Sequence, residues 1–450
     1  MTTVKKLSYA EKLNRISVAQ GSDVQHTYTQ PELAEIQKPE YEWSNVNWLH
    51  AVLLTTTPAL AAYGVATTPL EWKTGVWSVF WYTCTGLGIT AGYHRLWAHK
   101  SYTAGSIYQS LFAFFGAGAF QGSIRWWSRG HRQHHRYTDT QKDPYSARKG
   151  AFWSHMGWML VHEKPKNRGY VDITDLDRDP LVRFQHNFYL PIAIFGAFVF
   201  PTLVAGYGWG DWRGGFFYAG ILRQVLIHHA TFCVNSLAHL IGEQPFDDRL
   251  TPRNHFITAL VTLGEGNHNF HHEYPTDYRN AIKWWQYDPT KWVIWAASVL
   301  GLTWDLHEFP SNEIRKGEIK MIEKKINDEK AHLDYGVPVE ELPGWSFAEC
   351  EFKAKAAQEK LIVIDNVVYT VGNFMDEHPG GANLLKFSIG HDVTYQFNGG
   401  VYFHNNAARN MMQRMRVARI TGDPSPLEDD LVVDDDEKWV GLASGKVKAV

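Results

Sequence analysis

Imidazole is the commonest side-chain metal ligand near neutral pH, and this chain gathers its imidazoles into groups. Of 22 histidines, three tight clusters stand out: HRLWAH from His94 to His99, HRQHH from His131 to His135, and HNFHH from His268 to His272. His131, His134 and His135 are spaced i, i+3, i+4, which places them on one face of a helix, and His268, His271 and His272 repeat that spacing. His94 and His99 are five apart, about 140° around an α-helix, so the helix is expected to end or unwind between them. Asn235 and His239 (NSLAH) are i, i+4 and offer one more face. Any one such histidine would be ordinary polar surface; three groups at repeated spacing are not. Eight to nine imidazoles exceed the needs of one ion, so two metals are expected. Spacing alone admits iron, zinc, copper or nickel. His228 and His229 have no matching partner motif and read as structural or cavity-lining.

The elements that hold these groups include apolar ones. Four runs approach the ~20 residues a helix needs to cross a bilayer. They are roughly 48–66, 76–93, 189–206 and 216–235, in two close pairs joined by short links. The short links hold one basic residue each, Lys73 and Arg213, whereas residues 94–187 hold many, among them Arg125, Arg129, Arg132 and Arg136. Lys and Arg favour the cytoplasmic side. Four crossings then put the amino terminus, the central segment and everything after residue 235 in the cytosol, with all three histidine groups on one side, close to the membrane. The runs 107–120 and 292–304 are apolar but too short to span, and are expected to be buried or interfacial.

Composition narrows the class. A formal charge of −3 argues against nucleic acid as the main partner. The 19 Trp and 21 Tyr suit sites with one apolar and one wet end. Three cysteines, with Cys84 and Cys233 inside apolar runs, give neither a disulfide framework nor a Cys-based zinc site. The amino-terminal MTTVKKLSYAEKLNRIS has no secretory signal pattern. A length of 450 residues implies more than one domain. A charged, helical linker at 313–332 precedes a separate unit, and the acidic tail 428–437 is expected to be disordered.

The stretches GLGITAGYHRLWAHKSY, HRQHHRYTDTQKDPYSARKG, VNSLAHLIG and GEGNHNFHHEYPTDYRN together resemble the membrane acyl-CoA Δ9 desaturases (stearoyl-CoA desaturases), with every box in order across residues 43–309. The resemblance implies a di-iron site with ligands His94, His99, His131, His134, His135, His239, His268, His271 and His272, and Asn235 holding a metal-bound water. It places no Asp or Glu among the ligands. It implies an O₂-dependent cis double bond at C9–C10 of a long-chain acyl-CoA, making oleoyl-CoA from stearoyl-CoA and palmitoleoyl-CoA from palmitoyl-CoA. Tyr82, Gly86 and Thr90 recur every four residues toward His94, one face over ~18 Å of helix. By resemblance, Tyr82 and Gly86 close the far end of the acyl tunnel, and Gly86 stands where animal enzymes often have Ala, implying a slightly deeper pocket. Gln121 and Thr231 match positions that hold the bend in the chain, Trp158 a tunnel wall, and Trp127 and Arg129 positions near the CoA end. A basic pair of the animal enzymes corresponds here to His162-Glu163, with Lys164, Lys166 or Arg168 available to replace it.

In the second unit, LIVIDNVVYTVGNFMDEHPGGANLL resembles cytochrome b5, in which the His of HPGG is one axial haem ligand. This implies a b-type haem held by His378 and, in FHNNAARNM, by His404. His391 falls where that family has another residue type and is expected at the surface. The fusion at the carboxyl end resembles fungal Δ9 desaturases, with electrons arriving from an NADH-cytochrome b5 reductase. The expected architecture is an all-α membrane protein, four transmembrane helices with a cytosolic helical cap holding the di-iron site, plus a small α+β cytochrome b5-like domain. Its parts are a cytosolic segment (1–45), the membrane desaturase domain (46–310), a charged linker (311–341), the haem domain (342–425) and the acidic tail (426–450). The expected setting is the endoplasmic-reticulum membrane, multi-pass and in contact with lipid, with both termini and the active site cytosolic. Two other readings share the same boxes: a di-iron membrane hydroxylase or acyl-lipid desaturase, and a membrane-tethered b5 electron carrier with a structural metal site.

Overall fold

The structure, a computed structural model, describes residues 43–162 and 167–422. Glu163, Lys164, Lys166, most of the amino-terminal segment and the acidic tail therefore lie outside the described residues. The chain divides into two units between Lys324 and Lys325.

The first unit is almost entirely helical. Helix α1, Trp48–Thr67, begins where the Asn47 side chain accepts from the backbone N–H of His50, and turns Leu49, Val52 and Val65 outward. Helix α2, Trp72–Leu87, passes without a break into a π-helix, Gly88–Ala98. Then come α3, Ser106–Gly118, and α4, Ile124–Tyr137, capped by the Ser123 hydroxyl accepting from Trp126 N–H. Helix α5, Tyr189–Trp209, has a π-helical stretch at Phe195–Val199. The last expected crossing is composite: a turn at Trp212–Gly214, a π-helix at Gly215–Leu222 and α6, Arg223–Asn235.

Among the described residues, α1 and α5 are the two helices long and apolar enough to cross a membrane. The runs expected as second and fourth crossings pass through π-helical stretches at Gly88–Ala98 and Gly215–Leu222, as α5 does at Phe195–Val199. Glycine packing accompanies this. A methyl built on Gly88 would lie 2.2 Å from the backbone nitrogen of Gly116, so α3 touches the π-helix backbone to backbone. Ile89, Tyr93 and Trp97 of the π-helix form a core with Tyr108 and Phe112 of α3 and Ile124 of α4. The run 107–120 is thus α3, with Phe112 and Gly116 buried and Ile107 and Leu111 exposed.

Three short elements finish the cap: α7, His268–Glu273; α8, Pro289–Val299; and an antiparallel pair, β1 (Thr103–Ala104) with β2 (Thr303–Trp304). The charged segment is helix α9, Ser311–Ala331. The second unit contains a four-stranded sheet of β3 (Gly344–Trp345), β4 (Leu361–Ile364), β5 (Val367–Thr370) and β6 (Arg416–Ile420), in the order β3-β6-β5-β4. β4 and β5 form a hairpin whose two turn residues, Asp365 and Asn366, both have positive φ, the turn that strand twist favours.

Candidate metal centre and substrate cavity

The π-helix solves the spacing of the first box. His99 N–H donates to the His94 carbonyl at 3.0 Å, an i→i−5 bond, so the two rings lie on one side with centroids 4.8 Å apart. As expected, the helix unwinds and ends between them: the π-helix stops at Ala98 and His99 is its cap. The wider π-turn brings the two rings together, because five residues nearly complete it where they overshoot an α-turn by about 140°.

Nine imidazoles converge into two groups. His94, His99, His131, His135 and His271 form one; His134, His239, His268 and His272 form the other, each ring offering a nitrogen within 4.8 Å of its group. Helices α4 and α7 exchange members. The i, i+4 pair His131 and His135 shares a group with His271, while the i, i+4 pair His268 and His272 shares a group with His134. The reason is angular: i+4 turns about 40° from residue i and i+3 about 60° the other way, so adjacent rings diverge by about 100°.

The chemistry of the nitrogens fits metal ions. His94 Nδ1 lies 2.7 Å from Glu265 Oε2, and His134 Nδ1 2.9 Å from Asp143 Oδ1. His239 Nδ1 donates to Thr251 Oγ1 at 2.8 Å, since that hydroxyl itself donates to Asp139 at 2.7 Å. With these protons facing outward, His94, His134 and His239 turn Nε2 lone pairs inward, and Nε2 atoms within the groups approach one another at 2.8 to 3.2 Å. Nitrogens crowded this way fit a shared cation, since two nitrogens bound at right angles to one metal lie roughly 3 Å apart. Burial, reinforced by neighbouring imidazoles, holds the pKa of His99, His131, His135, His268, His271 and His272 well below the ordinary histidine value. Burial does the same for His239, seconded by His134. Neutral rings are what a metal binds. Among the described residues, no carboxylate joins either group; Glu265 and Asp143 stand one shell out and orient the ligands.

A cavity of about 990 Å³ reaches this centre, with His94, His131, His134, His268 and Asn235 in its wall. Tyr82, Gly86, Gln121, Trp127, Arg129, Trp158 and Thr231 line it too, as do His162 and Arg168. Gln121 Nε2 donates to Thr231 Oγ1 at 2.8 Å, bridging the α3–α4 turn and α6. The Tyr82 hydroxyl donates to Val261 O at 2.7 Å. Trp127 stacks on His131, 5.0 Å between centroids.

In the second unit, the rings of His378 and His404 face each other with centroids 6.4 Å apart. Two imidazoles on opposite sides of one iron, bonded at about 2 Å, have centroids roughly 6 Å apart. Each ring's Nδ1 donates to a backbone carbonyl, His378 to Gly381 at 3.3 Å and His404 to Phe397 at 3.0 Å, leaving Nε2 for a metal. A Cβ on Gly380 would lie 2.9 Å from His378 Cε1, so only glycine leaves that ring its place.

The family profile "Fatty acid desaturase" matches residues 72–304, more than half of the chain. The chain belongs to the fatty acid desaturase family. A second profile, "Cytochrome b5-like Heme/Steroid binding domain", matches residues 347–421. The desaturase is 53% identical over 380 residues to a "Probable acyl-CoA desaturase" of Schizosaccharomyces pombe, covering 84% of this chain and 78% of that protein. It is 47% identical over 412 residues to "Acyl-CoA desaturase 1" of Saccharomyces cerevisiae, covering 91% and 80%. It is 38% identical over 273 residues to the human "Stearoyl-CoA desaturase", covering 60% and 75%. Its cofactors are accordingly a di-iron centre and a haem.

Most residues singled out in the desaturase sequence come together. Trp127 lines the cavity with Arg129 and stacks on His131 beside the metal centre. Gly86 lines the cavity, and a methyl built on it would lie 2.8 Å from Leu263 Cδ1. His228 lines the cavity, with its Nε2 3.0 Å from Phe120 O, and His229 pairs with His155 at 3.0 Å; neither is in the metal groups. His391 pairs with β4 through its backbone. The residues that sequence reasoning missed are the supports: Glu265, Asp143, the Asp139–Thr251 pair, and Arg95, which is buried between Glu265 and Asp288. Glu265 had a signal in GEGNHNFHH, an acid three residues before a ligand; Asp139 and Thr251 are 112 residues apart and had none.

Proposed function

We propose that this desaturase inserts a cis double bond between C9 and C10 of saturated acyl-CoA, chiefly stearoyl- and palmitoyl-CoA. Electrons pass from an NADH-dependent cytochrome b5 reductase through the fused haem domain. The nine imidazoles hold two irons, Asn235 orients a metal-bound water, and His378 and His404 hold the haem. The setting is the endoplasmic-reticulum membrane, crossed four times, with α2 and the composite segment ending in α6 as the second and fourth crossings and the active site cytosolic. The observation that supports this best is the single cavity, which joins an apolar end at Tyr82 and Gly86, the imidazoles, and cations at Arg129 and Arg168. The relatives' names, acyl-CoA and stearoyl-CoA desaturase, agree with such a cavity.

The substrate loses two hydrogens while O₂, two electrons and two protons become two waters. When bound, the iron pair supplies O₂ activation strong enough for an unactivated C–H bond. The chain's own residues place that bond. Arg129 and Arg168 offer cations to the CoA phosphates. The Gln121–Thr231 bridge fills one side of the cavity and turns the acyl chain past the imidazoles. Trp127, packed on His131, gives a flat wall beside the reacting carbons. Tyr82, bonded to Val261 O, closes the far end and excludes water. Glu265 and Asp143 keep the His94 and His134 protons outward.

Membranes containing the full chain, given stearoyl-CoA, NADH and O₂, should yield oleoyl-CoA. A hydroxylated product, or turnover of glycerolipid acyl chains alone, would replace this reading with a hydroxylase or an acyl-lipid desaturase.

A further inference from the structure

We propose that Leu263 sets the length of acyl chain the desaturase accepts, by filling the notch that Gly86 leaves in α2. The inference rests on the acyl-tunnel reading above. Leu263 is 8% exposed and lines the cavity with Tyr82, Gly86 and Val261. A methyl built on Gly86 would lie 2.8 Å from Leu263 Cδ1, well inside carbon–carbon contact. The room vacated by the absent Cβ is therefore already taken by leucine, coming from a different segment of the chain.

That segment is held stiffly. Leu263 has φ +57°, a left-handed backbone that disfavours side chains with a Cβ, and Gly264 follows at φ +109°. The Leu263 carbonyl accepts from Thr290 Oγ1 at 2.9 Å, and Thr290 Oγ1 is 2.7 Å from Thr90 Oγ1, four residues beyond Gly86. Gly264 N–H donates to Ala259 O at 2.8 Å. A strained leucine kept this way at a substrate wall marks a functional position. Both halves of the stop lead directly into ligand segments: Gly86 precedes His94 by eight residues and Leu263 precedes His268 by five. The distance from stop to imidazoles is thereby fixed, as measuring a chain requires.

The test uses the full chain in membranes, given an equimolar mixture of saturated acyl-CoAs of fourteen to twenty carbons, with products resolved by length. Leu263→Ala should raise the long-to-short product ratio roughly fourfold, the effect of admitting one further CH₂. Gly86→Ala should push leucine into the cavity and lower that ratio, and the double variant should return toward wild type, as coupled neighbours do. Leu263→Gly relieves the backbone and should behave like Leu263→Ala if the latter accumulates poorly. An active Leu263→Ala or Leu263→Gly enzyme with an unchanged length profile would overturn the proposal. No unsaturated product from the wild-type chain would instead overturn the acyl-CoA reading, and the inference with it.

Discussion

The Nδ1 of His94 lies 2.7 Å from one oxygen of Glu265, and the other oxygen accepts from Arg95 at 2.8 Å. Arg95 in turn donates to both oxygens of Asp288, so a buried chain of alternating charge runs from a ligand ring to the cap of α8. Burial works to raise the Glu265 pKa, but His94 and Arg95 outweigh it and hold it down to about 2. Glu265 is thus ionised throughout the physiological range and fixes which His94 nitrogen faces inward. Glu265→Gln keeps the shape and removes the charge. It should lower iron affinity about 10- to 100-fold, read as iron per chain after dialysis against a chelator. Unchanged iron retention would show that His94 does not need this partner.

The exchange of rings between α4 and α7 makes a sharper forecast. His271 and His272 are adjacent in sequence yet belong to different groups. His271→Ala and His272→Ala should each abolish turnover and lower bound iron from two toward one per chain, and the double variant should hold almost none. Equal, complete loss of iron in both single variants would mean that the two sites fill as one.

Among the described residues of the haem unit, His404 has its ring opposite His378. His404→Ala should abolish the low-spin b-type spectrum, while His391→Ala should retain it. The reverse pattern would move the axial assignment to His391.

Asp175 tests how the metal helix is clamped. Its carboxylate accepts from Arg132 at 2.7 Å through both oxygens, and Arg132 also donates to the carbonyls of Trp97 and Ala98. Burial works to raise the Asp175 pKa, but hydrogen bonds from Arg132 and Lys100 hold it well below the usual carboxylate range. A depressed folded pKa gives stability that is present above the unfolded value of about 3.9 and lost as pH falls below it. Asp175→Asn should therefore lower Tm at pH 7 by roughly 1–2 °C, as about 1 kcal/mol does in a unit of this size. The gap between variant and wild type should close as pH drops below about 4.

What the sequence made legible follows from what is local. His131, His134 and His135 were readable because i, i+3, i+4 spacing is a property of one helix, and HPGG because its turn is contiguous. The split of His134 from His135 was not, since it depends on where α7 docks. The 94–99 spacing showed that the helix must end or unwind between the two rings, but not that it does so as a π-turn stopping at Ala98. Leu263 gave no signal at all: its importance arises from contact with Gly86, 177 positions earlier, and from a left-handed φ that no composition reveals.

The central claim is that the clustered imidazoles form a Δ9-desaturating centre. Its most direct test is fatty-acid analysis of cells that lack their own Δ9 desaturase and need unsaturated fatty acid to grow, carrying either this chain or its His271→Ala variant. Growth with new cis-9 double bonds in 16- and 18-carbon chains, lost in the variant, is the predicted result. Expressed, haem-loaded wild-type protein without growth or cis-9 product would contradict it, and would favour a hydroxylase or a membrane-tethered electron carrier.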